Sequence, residues 1–184
     1  MKTLREVIKD ETLALLLAGV TSRQDRACIL LALGCGLRLG ELAALNVESF
    51  IELPDAARNE FPHTAGFVRV EQTHSFSHFP IGPAALTAVH EHLEMRNTTR
   101  GYVPLFVAPS GGRLTTGQLA KLLLHLCTRL GLPPFSYHSL RHTSIGHYVA
   151  GGLNLVAFKQ LMEYASDSVS SSRLQAVRGA TRSW

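Results

Sequence analysis

The sequence predicts one mainly α-helical domain carrying a small antiparallel β-sheet, an α+β arrangement. Three observations carry that expectation. Apolar residues recur at helical spacing before Leu45 and again after Pro83, and three short β-rich runs cluster between Val47 and Ile81. The chain's 184 residues are 46% hydrophobic, enough to fill a single core. With no internal repeat or boundary, residues 1–184 read as one domain.

The elements follow in order. Leu4 to Leu17 carries apolar residues at helical spacing, with Asp10 and Glu11 on the other side. A second helix is expected from Ser22 to Gly34, with Thr21 or Ser22 as N-cap, and Gly34-Cys35-Gly36 breaks it. Leu37 to Leu45 reads as a short third helix. Val47–Leu53, Gly66–Glu71 and Phe76–Ile81 read as strands, and the stretch from Pro54 to Ala65 as the loop between the first two. Pro83 suits the first turn of a helix running to about Met95. Leu105-Phe106-Val107 is a short extended piece that ends in the turn at Pro109-Ser110-Gly111-Gly112. Thr115 or Thr116 caps a helix to about Leu130, closed by Gly131 and Pro133-Pro134. Three helices are expected after that, over His138–Ala150, Asn154–Tyr164 and Ser168–Val177.

Composition narrows the function classes. No apolar run approaches the roughly 18 residues that a membrane span needs, and the first residues show no signal-peptide core. Cys28, Cys35 and Cys127 lie in apolar stretches without a CxxC pair, which reads as reduced core thiols in a cytoplasmic protein. Charge is unevenly placed. Residues 1–95 hold eight Lys/Arg and twelve Asp/Glu, whereas the 67 residues from Arg96 to Met162 hold seven basic residues and no acidic one. Such a segment is what a surface facing a polyanion would show.

Two islands carry the candidate chemistry. The first, Gly36-Leu37-Arg38-Leu39-Gly40-Glu41-Leu42, puts an arginine in a glycine-flanked break between apolar helices. Either Arg38 pairs with Glu41 or it serves a ligand. The second, Tyr137-His138-Ser139-Leu140-Arg141-His142-Thr143, opens a helix. His138 and Arg141 are three apart and share one face near a helix N-terminus, where free N–H groups and the dipole favour an anion. Two guanidiniums and an imidazole together would grip a phosphate with bidentate geometry that lysine cannot match.

In order and spacing, these islands resemble the two boxes of the tyrosine recombinases, the family of phage integrases and chromosome-dimer resolvases. Those proteins show a GLR-x-x-EL box, an H-x-L-R-H-T box, and a leucine-rich helix ending in an L-G-H-like element. The likeness runs from about residue 10 to 178 and includes Phe79-Pro80-Ile81 at the family's third strand. It implies the tyrosine-recombinase catalytic-domain fold, double-stranded DNA as partner, and a metal-free phosphoryl transfer with no cofactor. In that chemistry a tyrosine attacks the scissile phosphate, two arginines stabilise the transition state, and a hairpin lysine protonates the leaving oxygen.

Carried over residue by residue, the resemblance puts the phosphate-binding roles on Arg38, His138 and Arg141. The other roles find no match. The hairpin lysine position falls at about Gln72, the second histidine is replaced by Tyr164, and Arg173 stands where the nucleophile belongs; no tyrosine follows Tyr164 in the sequence. Arg113, Lys121, His142 and Lys159 are further side chains expected to reach DNA. The expected function is therefore that of a DNA-binding, catalytically inactive relative, acting as a homo-oligomer or beside an active recombinase. Rival expectations are an active recombinase using Tyr164 or a nucleophile supplied in trans, and a protein-interaction module on the same fold. His138 and His142 have zinc-compatible spacing, but no glutamate follows the first as in HExxH, so no metal is expected. The other histidines, including His90 and His92, are expected to be surface groups or phosphate contacts. The family's separate N-terminal DNA-binding domain is not expected here, and residues 174–184, ending in the only tryptophan, are expected to dock in trans.

Overall fold

The structure, a computed structural model, describes residues 7–52, 64–71, 76–96 and 103–150. Gln72, Lys159, Tyr164, Arg173, the tail 174–184 and the helices expected over 154–164 and 168–177 lie outside the described residues. The described elements run α1 (Asp10–Gly19), α2 (Arg23–Cys35), α3 (Leu39–Ala44), a 3-10 turn (Val47–Ser49), β1 (Phe50–Glu52), β2 (Gly66–Glu71), β3 (Phe76–Ile81), α4 (Pro83–Glu94), α5 (Thr116–Arg129) and α6 (Tyr137–Ala150). This is the mainly helical α+β architecture that the sequence predicts.

Helix α2 is the axis of the core. Ser22 Oγ accepts from the Asp25 N–H at 3.3 Å and starts it, and Ala27, Cys28, Ile29, Leu31, Ala32 and Cys35 are all buried. So wide an apolar surface demands neighbours on several sides, and α4 and α6 both pack against it. The helix passes through Gly34 and ends at Gly36, whose φ of 61° is the left-handed cap that glycine adopts without steric cost. The expected break is thus a C-cap two residues later. Its consequence is positional: Gly36 delivers the chain to Arg38 at the foot of α3.

The sheet has order β1-β2-β3, antiparallel throughout, with Phe50 opposite Val68 and Val68 opposite Phe79. Val68, Val70, Phe79 and Ile81 turn inward. Gly66 faces β1 so closely that a Cβ there would stand 2.4 Å from the Ile51 carbonyl oxygen. The first strand is shorter than expected. Val47–Ser49 instead forms a 3-10 turn, because the Asn46 N–H donates to Ser49 Oγ at 3.0 Å and closes the backbone locally.

Helix α5 is bounded as expected, with Thr115 and Gln118 capping each other at its start and Gly131, φ 65°, just past its end. All three cysteines are free and buried. Burial pushes the Cys35 thiol up to about 12 and raises Cys28 and Cys127 as well, so these are inert core groups.

Candidate functional site

The local structure of each box explains how its side chains are aimed. At the start of α3 the Arg38 N–H donates to Glu41 Oε2 at 2.6 Å, while Arg38 Nη1 lies 2.9 Å from Oε1 of the same carboxylate. Glu41 therefore fixes both the backbone and the head of Arg38. In the second box α6 begins at Tyr137, one residue earlier than expected. Ser136 Oγ accepts from the Ser139 N–H at 3.3 Å. That end of the helix is already partly capped by a hydroxyl, so fewer free N–H groups face the cleft than the sequence suggests.

The packing of α2 against α6 then joins the boxes. Arg141 donates through Nη1 to the carbonyl of Gly36, and the same nitrogen stands 3.8 Å from Glu41 Oε2. One carboxylate is flanked by both arginines. Their side chains differ sharply in exposure, 67% for Arg38 against 14% for Arg141. Burial lowers the pKa of Arg141, the neighbouring Arg38 charge lowers it further, and Glu41 opposes both. The guanidinium stays charged regardless.

Arg38, His138 and Arg141 line a single cleft of about 490 Å³. Leu39, Ala120, Leu124 and Phe135 are among the apolar residues that line it too. Leu124 is half exposed although apolar. Tyr137 also borders this cleft, but burial raises its phenol pKa strongly and its hydroxyl has no hydrogen-bond partner among the described residues. It is packing, with no sign of an activated nucleophile. His142 stands beside His138, with Nε2 atoms 2.9 Å apart.

The remaining expected DNA contacts divide. Lys121 is exposed on α5. Arg113 is turned inward: Nη1 donates to the carbonyls of Ala43 (3.0 Å) and Leu45 (2.9 Å), and Nη2 to Asn46 Oδ1 at 2.5 Å. It satisfies carbonyls at the end of α3, a role within the fold that the sequence reading did not foresee. Arg96 donates to the carbonyls of Pro104 and Leu105, and Arg129 to that of Gly19. Four described cations of the acid-free segment, Arg96, Arg113, Arg129 and Arg141, thus give hydrogen bonds to backbone carbonyls, and among the described residues that segment is not a uniformly basic face. His92 departs from expectation too. It is buried, stacks on Phe106 and bonds the Leu105 carbonyl at 2.9 Å, while His90 pairs with Glu52 at 3.0 Å. The role of Glu41 as the common partner of both arginines could be read only in part, since its pairing with Arg38 is local and its approach to Arg141 is not. Among the described residues no group of three or more His, Cys, Asp or Glu could hold a metal ion, and no helix is long and apolar enough to cross a membrane.

Known proteins share this architecture. The tyrosine recombinase XerC of Rhodospirillum centenum is 34% identical over 146 residues, covering 78% of this chain and 40% of that protein. The XerC of Roseiflexus castenholzii is 31% identical over 169 residues, covering 86% of this chain and 50% of its own length. The chain thus spans about half the length of the curated relatives that it matches. Among solved structures, the XerA recombinase superposes with a TM-score of 0.73 at 16% identity, covering 96% of this chain and 59% of that one. The XerH site-specific recombinase bound to its difH substrate gives 0.68 at 17% identity, covering 91% and 52%. These confirm the tyrosine-recombinase catalytic-domain fold. The sequence pattern of the phage integrase family matches residues 6–173, and this chain belongs to that family.

Proposed function

We propose that this chain binds duplex DNA through its phosphates and does not cleave it: a tyrosine-recombinase relative that keeps the anion grip and has lost the strand-breaking groups. The observation that carries the reading is the junction at Glu41, which holds Arg38 and Arg141 on one cleft with His138. Arg38 is exposed enough to offer its free N–H groups to a phosphate while Glu41 orients the head. The chemistry beyond binding lacks its actors. Arg173 occupies the nucleophile position, Gln72 the position of the general acid, and Tyr164 that of the second histidine, and no tyrosine occurs from 165 to 184.

DNA as the partner is supported by the fold's solved relative XerH, which is described with its difH DNA. Self-association is supported by the lambda integrase dimer bound to a core site, a further fold relative with a TM-score of 0.63. In this reading the chain occupies DNA alone, as a homo-oligomer, or beside an active recombinase. A mobility-shift assay with duplex DNA at two salt concentrations tests the grip, and a denaturing gel of the same samples tests for a covalent adduct. Salt-sensitive binding without an adduct is expected. No affinity near 50 mM salt would instead favour a protein-interaction surface.

A further inference from the structure

His138 and His142 stand one turn apart on α6, with Nε2 atoms 2.9 Å apart and rings edge to face at a centroid distance of 4.4 Å. We propose that these two imidazoles form a chelating site for a borderline divalent transition-metal ion, Zn²⁺ in the first instance, at the His138 end of the cleft. The proposal concerns the metal alone and stands whether or not the chain binds DNA.

The geometry suits such an ion. Imidazole nitrogen is a favoured ligand of Zn²⁺, Ni²⁺ and Cu²⁺. Two histidines at i,i+4 share one helix face, which is how metalloprotease helices present a histidine pair to zinc. Two Zn–N bonds of about 2.0–2.1 Å, meeting between a right angle and the tetrahedral angle, hold their nitrogens about 2.9–3.4 Å apart. The observed separation is at the near edge of that range, and a small ring rotation covers the remainder. His138 is exposed and His142 half-buried. The ion has an entry path, and water or an oxyanion can complete its coordination.

Without metal, the 2.9 Å approach is an N–H···N hydrogen bond, in which one ring donates and the other accepts. Binding moves the donor ring's proton from Nε2 to Nδ1 and turns both Nε2 lone pairs to the ion, so neutral rings release no net proton. In acid, protons compete for the same nitrogens and the ion leaves. The charged groups lining the cleft are Arg38 and Arg141, offset by Glu41 between them. They make the site weaker than an isolated pair and favour an anionic third ligand. Two protein ligands suffice for a reversible site and not for a structural one.

The test is a titration of the full chain with ZnCl₂, read by long-range ¹H–¹⁵N spectra of the imidazole rings. The rings of His138 and His142 should shift together and saturate at one equivalent, ahead of exposed histidines such as His90 and His125, and Mg²⁺ should leave them unmoved. His142→Asn should lower the Zn²⁺ affinity about tenfold or more, whereas His142→Asp, which restores an oxygen ligand, should recover part of it. Circular dichroism of both variants guards against a folding defect. Rings of His138 and His142 that stay unmoved at millimolar Zn²⁺ would overturn the site. So would an affinity unchanged in both His138→Ala and His142→Asn.

Discussion

Arg141 donates a hydrogen bond to the carbonyl of Gly36, a residue 105 positions earlier in the chain, and so ties the second box to the first. The bond depends on Gly36 holding a φ of 61°, and a Cβ there would sit 3.2 Å from Ser144 Oγ. Gly36→Ala therefore faces both a disfavoured backbone and a crowded neighbour. The expected loss is about 1–2 kcal/mol in urea unfolding. A stability equal to wild type would show that the cap relaxes freely and that this junction is not a constraint on the site.

Arg113 acts within the fold. Its three hydrogen bonds, to Ala43 O, Leu45 O and Asn46 Oδ1, close the short helix that carries Arg38 and Glu41. Arg113→Met should destabilise by about 2–4 kcal/mol, since charged donors contribute more than neutral ones and the acceptors are partly buried. For the folded fraction, the slope of log K against log salt for DNA should not change. A slope reduced by about 0.9 would instead mark Arg113 as a direct phosphate contact.

The arginines held on carbonyls also set the size of the salt effect. Arg96, Arg113 and Arg129 are engaged on carbonyls and do not line the cleft, whereas Arg141 lines it while giving Nη1 to Gly36. The described cations expected at phosphates are therefore chiefly Arg38, Arg141 and Lys121. Three contacts give a slope of about −2.7 for duplex DNA. Arg38→Ala and Lys121→Ala should each bring it about 0.9 closer to zero, measured by anisotropy between 50 and 200 mM salt. A wild-type slope near −6 would mean that side chains outside the described residues dominate the interface.

His92 gives the fold a pH dependence. Burial is the main cause that lowers its pKa below 6.5, with the Arg96 charge adding to it, while the Leu105 carbonyl and Asp25 oppose. The unfolded chain thus binds the proton more readily than the folded one. Stability is full above about pH 6.5 and declines as pH falls from there toward the folded value. Asp25, whose pKa burial raises, works in the opposite sense at lower pH, because its protonation relieves a buried charge. His92→Gln can still donate to Leu105 O but cannot titrate. It should flatten the fall in melting temperature between pH 7 and pH 5, and an unchanged slope would assign that fall to other groups.

What the sequence made legible was local. β2 and β3 keep the expected boundaries because alternation is a property of consecutive residues, and the caps at Ser22 and Thr115 lie within three residues of what they cap. The boxes were legible as motifs, and Arg38 with Glu41 as a pair one helical turn apart. The partners of Arg113, Arg141 and His92 are fixed by packing across long sequence separations, so Arg113 looked like a surface cation and His92 like a surface histidine. The 3-10 turn at Val47–Ser49 was hidden because its β-branched start mimics a strand, while the deciding contact is the Asn46–Ser49 closure.

The chemical half of the site yields the last prediction: no covalent protein–DNA intermediate forms, even on a nicked suicide substrate that traps such adducts. A 3′-phosphotyrosyl bond needs a phenol oxygen in line with the leaving oxygen and about 3 Å from phosphorus. Arg173 cannot supply it, since its guanidinium stays protonated, and Gln72 has no proton to give the departing 5′-oxygen at any accessible pH. Tyr137, the tyrosine bordering the cleft, is buried with its phenol pKa raised and is no substitute. Nucleophile, general acid and second histidine act jointly in such a site, so on this reading restoring one recovers little. Arg173→Tyr alone should give at most faint cleavage, and adding Gln72→Lys and Tyr164→His should raise it well above that level, because the Arg38–Glu41–Arg141 junction puts two guanidiniums on one cleft, the charge that a pentacoordinate phosphorus calls for. The decisive control is the wild-type chain with Tyr164→Phe. An adduct present in the first and absent in the second would make Tyr164 a displaced nucleophile and the chain an active recombinase.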